Sequence, residues 1–266
     1  MNNIIIPAVI NDIDTLDLMF HLAEGSISLI SDMIDSLNSL KLNEESNTVK
    51  SWGGDATARY ATNNTIKIGK LTKDSITIHE TGLSGPITDG KFGPNYFGDK
   101  PVEINFDMQA VVVHDSLPST LTSYTKYDLE EDNGMMFISG LLTINNEMIE
   151  NKFLLHTGYG GRLLLDDEFA NQYDLDKKLQ TISVGELKDS YGNIIKTKTS
   201  ILSAIRFRDH QFTQLPISFF AGSIGRQKMS VMGCDLIRRF NIIIDRKDKK
   251  LYLNPNTNFN LPFLQI

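Results

Sequence analysis

Leu18-Met19-Phe20-His21-Leu22-Ala23-Glu24-Gly25-Ser26-Ile27-Ser28-Leu29 and Phe153-Leu154-Leu155-His156-Thr157-Gly158-Tyr159-Gly160-Gly161-Arg162-Leu163-Leu164 are two versions of one pattern. Each runs from an apolar strand, through a polar turn, into a short Gly/Ser loop and a second apolar run. A duplicated strand–turn–strand with one ionisable group at each turn is a way for a two-lobed protein to bring two reactive groups to an internal two-fold axis. Here both groups are imidazoles.

The repeat extends well beyond these loops. Ile6 to Asp32 aligns with Leu141 to Asp167 at a constant offset of 135 without a gap, and Asn11/Asn146, His21/His156, Gly25/Gly160, Leu29/Leu164 and Asp32/Asp167 are identical. Ile68/Phe207, Ile76/Leu215 and Ile78/Ile217 follow at an offset of 139. Phe92-Gly93/Met232-Gly233 and Ile104-Asn105/Ile244-Asp245 follow at 140. Three segments in the same order and phase, marked by glycines and polar turn residues, read as an ancient duplication.

Bulk properties suit two small β-rich lobes. A chain of 266 residues with 41% hydrophobic content can bury one large or two medium cores. A net charge of −7 and a sequence pI near 5.3 disfavour nucleic acid or an anionic membrane as partner, and no apolar run is long enough to span a bilayer. The lone Cys234 sits among apolar residues and reads as inert packing, with no intrachain disulfide to mark a redox compartment. No basic segment or cleavage site precedes Ile4-Ile5-Ile6, so this chain shows no signal peptide; an exported, cell-envelope location would require a trimmed one.

Strand signals outnumber helix signals. Residues 4–10, 16–20, 65–68, 75–78 and 102–114 read as strands in the first half; 136–144, 152–155, 201–207, 215–219, 241–245 and 249–253 do so in the second. Helical pattern is confined to 31–40 and 166–173, with one- or two-turn candidates at 94–97 and 235–240. The polar, acidic stretch between the halves gives expected domains of 1–115 and 134–266, joined by a connecting segment at 116–133.

Taken together, these residues resemble the pepsin/retropepsin-like aspartic peptidases, in particular their two-lobed, disulfide-free bacterial members. In that family each lobe has an apolar strand leading into Asp-Thr/Ser-Gly, a hairpin flap, and an apolar-apolar-Gly turn packed behind the catalytic loop. Leu154-Leu155-His156-Thr157-Gly158 matches at Thr157 and Gly158, with His156 at the aspartate position. Val231-Met232-Gly233-Cys234-Asp235-Leu236-Ile237 and Phe240-Asn241-Ile242-Ile243-Ile244-Asp245 match the later turn and closing strand. In the first lobe Thr88-Asp89-Gly90-Lys91-Phe92-Gly93 resembles the same turn, while His21-Leu22-Ala23 replaces the whole triplet. The resemblance implies an all-β, two-lobed pepsin-like fold with a deep cleft, no cofactor, and a peptide or protein ligand bound by a monomer.

Chemically, the two histidines are a large departure. An aspartic dyad works because two adjacent carboxylates share one proton, one member acting as base and the other as acid. Neutral imidazoles each carry one donor and one acceptor nitrogen, and on acidification both become cations. Three readings of His21 and His156 stay open. They are remnants in a non-catalytic cleft, or one is the general base of a variant peptidase, or the pair binds a transition metal for which no third ligand is marked by spacing. The first gives the function expected here, an aspartyl protease-like protein that is catalytically impaired and binds an extended peptide or small ligand; an active peptidase of variant mechanism is the alternative.

Around them, Glu24 could reach the cleft, Ser26 reads as a loop-shaping hydroxyl, and Tyr159 belongs to the second-lobe loop. His79, His114 and His210 read as surface histidines, Asp89 and Asp235 as structural caps or ion-pair partners, and 246–250 as a solvated hairpin tip. The flap of the first lobe is expected at Ser51-Trp52-Gly53-Gly54-Asp55-Ala56-Thr57-Ala58-Arg59-Tyr60, where Trp52, Gly53, Gly54 and Tyr60 could cover a ligand. Its counterpart is 184–195, turning at Tyr191-Gly192-Asn193.

Overall fold

A computed structural model describes residues 3–43, 45–51, 54–221 and 228–263. Strands dominate it. The first half contains β1 (Ile5–Ile10), β2 (Asp14–Phe20), β3 (Ile27–Ile30), α1 (Ser31–Ser36), β4 (Ser46–Ser51), β5 (Gly54–Ile68), β6 (Leu71–Thr81) and β7 (Gly90–Phe92). These strands form one seven-stranded sheet in the order β1-β2-β7-β3-β6-β5-β4, with β1 also pairing with β5. The apolar positions of the strands are buried together: Leu18, Phe20, Leu29, Ile66, Ile78 and Phe92 are all excluded from solvent.

The remainder supplies β8 (Val102–Asn105), β9 (Ala110–Val113), β10 (Thr125–Asp128), β11 (Glu130–Asp132), β12 (Met135–Ile144), β13 (Glu147–His156), β14 (Leu163–Leu165), α2 (Asp167–Gln172), α3 (Leu175–Lys178), β15 (Thr181–Lys188), β16 (Ile194–Phe207), β17 (His210–Phe220), β18 (Ser230–Gly233), α4 (Cys234–Ile237), β19 (Phe240–Asp245) and β20 (Lys250–Pro255). An eight-stranded sheet runs β11-β12-β13-β18-β14-β17-β16-β15, and a five-stranded sheet runs β10-β20-β19-β8-β9.

Two compact units result, one of Asn3–Tyr96 with Glu186–Ile195, the other of Phe97–Gly185 with Lys196–Ile266. Residues 97–115 precede the second half in sequence but pack in the second unit, because β8 pairs with β19 through Ile104 opposite Ile242 and Val102 opposite Ile244.

The duplication is visible in the strand register. In the first unit β2 runs parallel to β7, with Leu18 opposite Gly90 and Phe20 opposite Phe92. In the second, β13 runs parallel to β18, with Phe153 opposite Ser230 and Leu155 opposite Met232. These are the pairs the offsets of 135 and 140 require.

Beyond the loop, however, the gapless alignment fails. Ile27 faces Ile78 and Phe92, whereas the residue facing Ile217 and Met232 is Leu163, not Arg162. The offset is therefore 136 from there on: the second loop holds one more residue between its histidine and the next strand. Identities at Gly25/Gly160, Leu29/Leu164 and Asp32/Asp167 had concealed the insertion.

Other sequence expectations need correction. The helix expected over 31–40 stops at Ser36, and Leu37 is already extended. Beyond it, Ser39 accepts Asn11 Nδ2 on its carbonyl and bonds Asp14 with its hydroxyl, so side chains take the backbone away from the helix. The stretch 116–133 contains β10 and β11. Buried Tyr127 and Leu129 anchor it, and Lys250–Asp128, Lys152–Glu130 and Arg246–Glu131 pairs neutralise its acids. The basic run at 246–250 is thus partly spent on those pairs. His210 is no surface histidine: its Nε2 is buried, with Phe240 at 5.1 Å and Phe259 at 5.8 Å between ring centres, and burial lowers its pKa.

Candidate functional site: two histidine turns

His21 directly follows β2 and His156 is the last residue of β13, so each ring stands where an apolar strand gives way to a loop. The two turns share their backbone bonds. Glu24 N–H donates to the His21 carbonyl at 3.0 Å, and Tyr159 N–H to the His156 carbonyl at 3.2 Å. Each imidazole also serves as an acceptor for its own loop: Ala23 N–H donates to His21 Nδ1 at 3.2 Å, and Tyr159 N–H to His156 Nδ1 at 2.9 Å. An N–H donor at Nδ1 requires the lone pair there, which assigns the proton of a neutral ring to Nε2. Both rings are therefore held as the same tautomer by geometry.

Behind each turn lies a glycine with no room for a side chain. A Cβ on Gly93 would fall 1.5 Å from the Glu24 carbonyl oxygen, and one on Gly233 would fall 2.3 Å from that of Gly161 and 2.8 Å from that of Tyr159. Glu24 and Tyr159 are repeat counterparts, so the same close approach is built twice. Here the glycines are required by contact with backbone. His21 N–H adds a bond to the Phe92 carbonyl at 2.9 Å, fixing the first turn to β7.

Side chains around the turns diverge. In the first unit Glu24 folds back to accept from Ser26 N–H and Oγ at 3.2 and 2.9 Å, and Lys91 Nζ lies 3.3 Å from its other oxygen. Ser26 is a loop-shaping hydroxyl, as expected. In the second unit the Tyr159 ring turns back against Gly161 and Gly233, and burial raises its pKa. Next to it Arg162 Nε sits 3.0 Å from Asp235 Oδ2, with both side chains almost wholly enclosed, and Arg238 donates to Asp235 Oδ1 from the other side. The Arg162 contact is charge-to-charge rather than a well-aligned hydrogen bond. Asp235 is structural, and so is Asp89, which accepts Asp17 N–H at 2.7 Å.

Leu22 and Thr157, the repeat-matched residues after the histidines, are both fully buried, while Gly158 is exposed. Trp52 and Gly53 lie outside the described residues; Gly54 opens β5 opposite Ser51, and Tyr60 is half-buried with its ring centre 6.3 Å from that of His79. The 184–195 hairpin forms as expected, β15 and β16 being joined by a turn that Asp189 holds by accepting Tyr191 N–H, Asn193 N–H and Asn193 Nδ2. Cys234 is buried, its thiol pushed up to about 12 by burial, and reads as packing.

Among the described residues no three His, Cys, Asp or Glu side chains are grouped to hold a metal ion, and no helix is long and apolar enough to cross a membrane. An open depression of about 670 Å³ in the second unit, lined by Glu130, Glu131, Lys152 and Arg208 among others, contains neither histidine.

The pair of matched turns, each backed by a strand–glycine turn, can be compared with solved structures. The crystal structure of an aspartic proteinase from Irpex lacteus superposes with a TM-score of 0.62 over 98% of this chain and 96% of that one, at 12% sequence identity. The fold is pepsin-like. No family model matches the chain, and no curated protein matches it. Likeness at that identity carries the architecture alone. Sequence reasoning missed the Arg162–Asp235 pair, the Lys91–Glu24 pair and the role of the Nδ1 atoms. Arg162 and Lys91 could have been found as charged residues set between a glycine and an apolar residue, in Gly161-Arg162-Leu163 and Gly90-Lys91-Phe92.

Proposed function

We propose that this chain is an aspartyl protease-like protein that no longer performs acid proteolysis and instead holds an extended polypeptide or a small ligand. The observation that carries the reading is the shared Nδ1 acceptor geometry of His21 and His156. With Nδ1 engaged by a backbone N–H, each neutral ring keeps its proton on Nε2 and offers a donor where the chemistry of an aspartic peptidase needs a base. Acid does not repair this, because protonation turns both rings into cations and removes the remaining lone pairs. Thr157 and Gly158, retained beside His156, support descent from a cutting loop; Leu22 and Ala23 beside His21 support its loss. A pepsin-like scaffold fits an extended chain as the ligand class.

The test is incubation of the purified protein with a diverse peptide mixture from acid to neutral pH, followed by mass spectrometry. The expected result is no specific product at any pH. Specific cleavage that disappears in His21→Ala or in His156→Ala would overturn the reading in favour of a variant peptidase using that imidazole.

A further inference from the structure

Residues 186–195 belong by packing to the first unit although the rest of their hairpin belongs to the second. Their turn is prebuilt. The buried Asp189 carboxylate gathers Tyr191 N–H, Asn193 N–H and Asn193 Nδ2, and Gly192 N–H donates to the Asp189 carbonyl. The folded tip then makes a small set of polar contacts through Ser190. Leu83 N–H donates to the Ser190 carbonyl at 2.7 Å, and Thr81 Oγ1 reaches the same oxygen at 3.5 Å. Lys91 Nζ donates to Ser190 Oγ at 3.1 Å. The tip lies close on its base: a Cβ on Gly82 would come within 2.9 Å of the Ser190 carbonyl oxygen.

What lies beneath is charged. Lys91 and Glu24 form a pair whose side chains are 11% and 16% exposed, and Glu24 is part of the His21 turn. Lys91 occupies the place of Val231 in the repeat and Glu24 that of Tyr159, so the second unit has no such pair. Ser190 binds through one carbonyl and one hydroxyl, Tyr191 beside it is half-buried with its pKa raised by burial and by nearby Glu24, and the hairpin neighbours Ile194 and Lys188 are exposed. Polar contacts of that kind, with one half-buried ring beside them, open locally at lower free energy than a strand ladder does.

We propose that 186–195 is a displaceable strap, closed on the first unit through Ser190, whose release uncovers the Lys91–Glu24 pair beside the His21 turn. The turn folded by Asp189 is the rigid head of the strap, and the Leu83–Ser190 bond is its catch. Opening exchanges the Leu83 and Thr81 contacts to the Ser190 carbonyl and one ammonium–hydroxyl bond for water, and leaves the Lys91–Glu24 pair intact but accessible.

Amide hydrogen exchange on the unaltered protein tests this without any variant. The Leu83 amide should exchange together with those of residues 189–193, and about tenfold or more faster than the amides of β6 such as Ile78. Asp189→Ala, which dissolves the head, should speed Leu83 exchange further and raise acylation of Lys91 by a small amine-reactive reagent, while β2 amides keep their protection. Lys91→Met, which spares the backbone catch, should raise Leu83 exchange less than Asp189→Ala does. A Leu83 amide that exchanges only with β6, or a Lys91 acylation rate unchanged in Asp189→Ala with β2 still protected, would show that the segment is a fixed part of the unit and overturn the proposal.

Discussion

The two histidine turns share a backbone and differ in what stands behind it. Both place an imidazole at a strand end, both feed a backbone N–H to Nδ1, and both rest on a glycine too close for any side chain. Behind the first is an ammonium–carboxylate pair that still meets some water; behind the second is a guanidinium–carboxylate pair almost wholly removed from it. The turn geometry is therefore set by main-chain contacts that both copies kept. The charges behind it are separate solutions with different energetic weight.

That contrast can be broken most forcefully at Asp235. Asp235→Ala leaves the buried Arg162 without its carboxylate, and the expected loss is about 3–5 kcal/mol in urea unfolding followed by circular dichroism. Lys91→Met at the first turn should cost only about 1 kcal/mol, since Glu24 keeps its bonds to Ser26. Equal losses would mean that burial does not separate the two pairs.

Next come the glycines. Gly93→Ala and Gly233→Ala should each cost about 1–3 kcal/mol by forcing the turn off its support, the former more because its added carbon meets the Glu24 carbonyl at 1.5 Å. Loss of the Nδ1 hydrogen bond in the same unit, seen by NMR, would accompany it. A neutral Gly93→Ala would break the claim that close backbone contact fixes both turns.

The smallest effect is expected from acid. Side-chain hydrogen bonding to Arg59 holds the Glu80 carboxyl at about 2, well below its ordinary value of 4.5. A depressed folded-state value means stability that is present above the ordinary value and lost as pH falls through the range from about 4.5 to about 2. Arg59 is 38% exposed, so solvent screening cuts the contribution to about 1 kcal/mol. Glu80→Gln should flatten that part of the pH–stability curve for the first unit. An unchanged curve would show the pair to be inert.

Much of the architecture was legible in sequence because the duplication is marked by residues with little freedom. The Asn145-Asn146 turn takes positive φ at both positions, as a tight two-residue hairpin demands, and Asn11 keeps the same sense in the first copy. Gly93 and Gly233 were legible as the glycines of the matched turns, where backbone contact leaves no room for a Cβ. Periodicity hid other things. The extra loop residue before Leu163 was masked by chance identities, and only strand register exposes it. Acidic β10 and β11 read as linker, since their neutralising partners Lys250, Arg246 and Lys152 are distant in sequence. The histidines themselves were legible as positions, but their tautomer depends on an N–H two or three residues along, which no pattern of residue types records.

That tautomer is directly measurable. Long-range proton–nitrogen NMR correlation of the imidazole rings, at about pH 8 where histidine is ordinarily neutral, reports which nitrogen carries the proton. The result expected is Nε2–H for both His21 and His156, each assignment confirmed by its loss in the corresponding His→Ala variant. Protonated Nδ1 in either ring, or an imidazolium persisting at that pH, would contradict the shared acceptor geometry and with it the proposal that these turns supply no base.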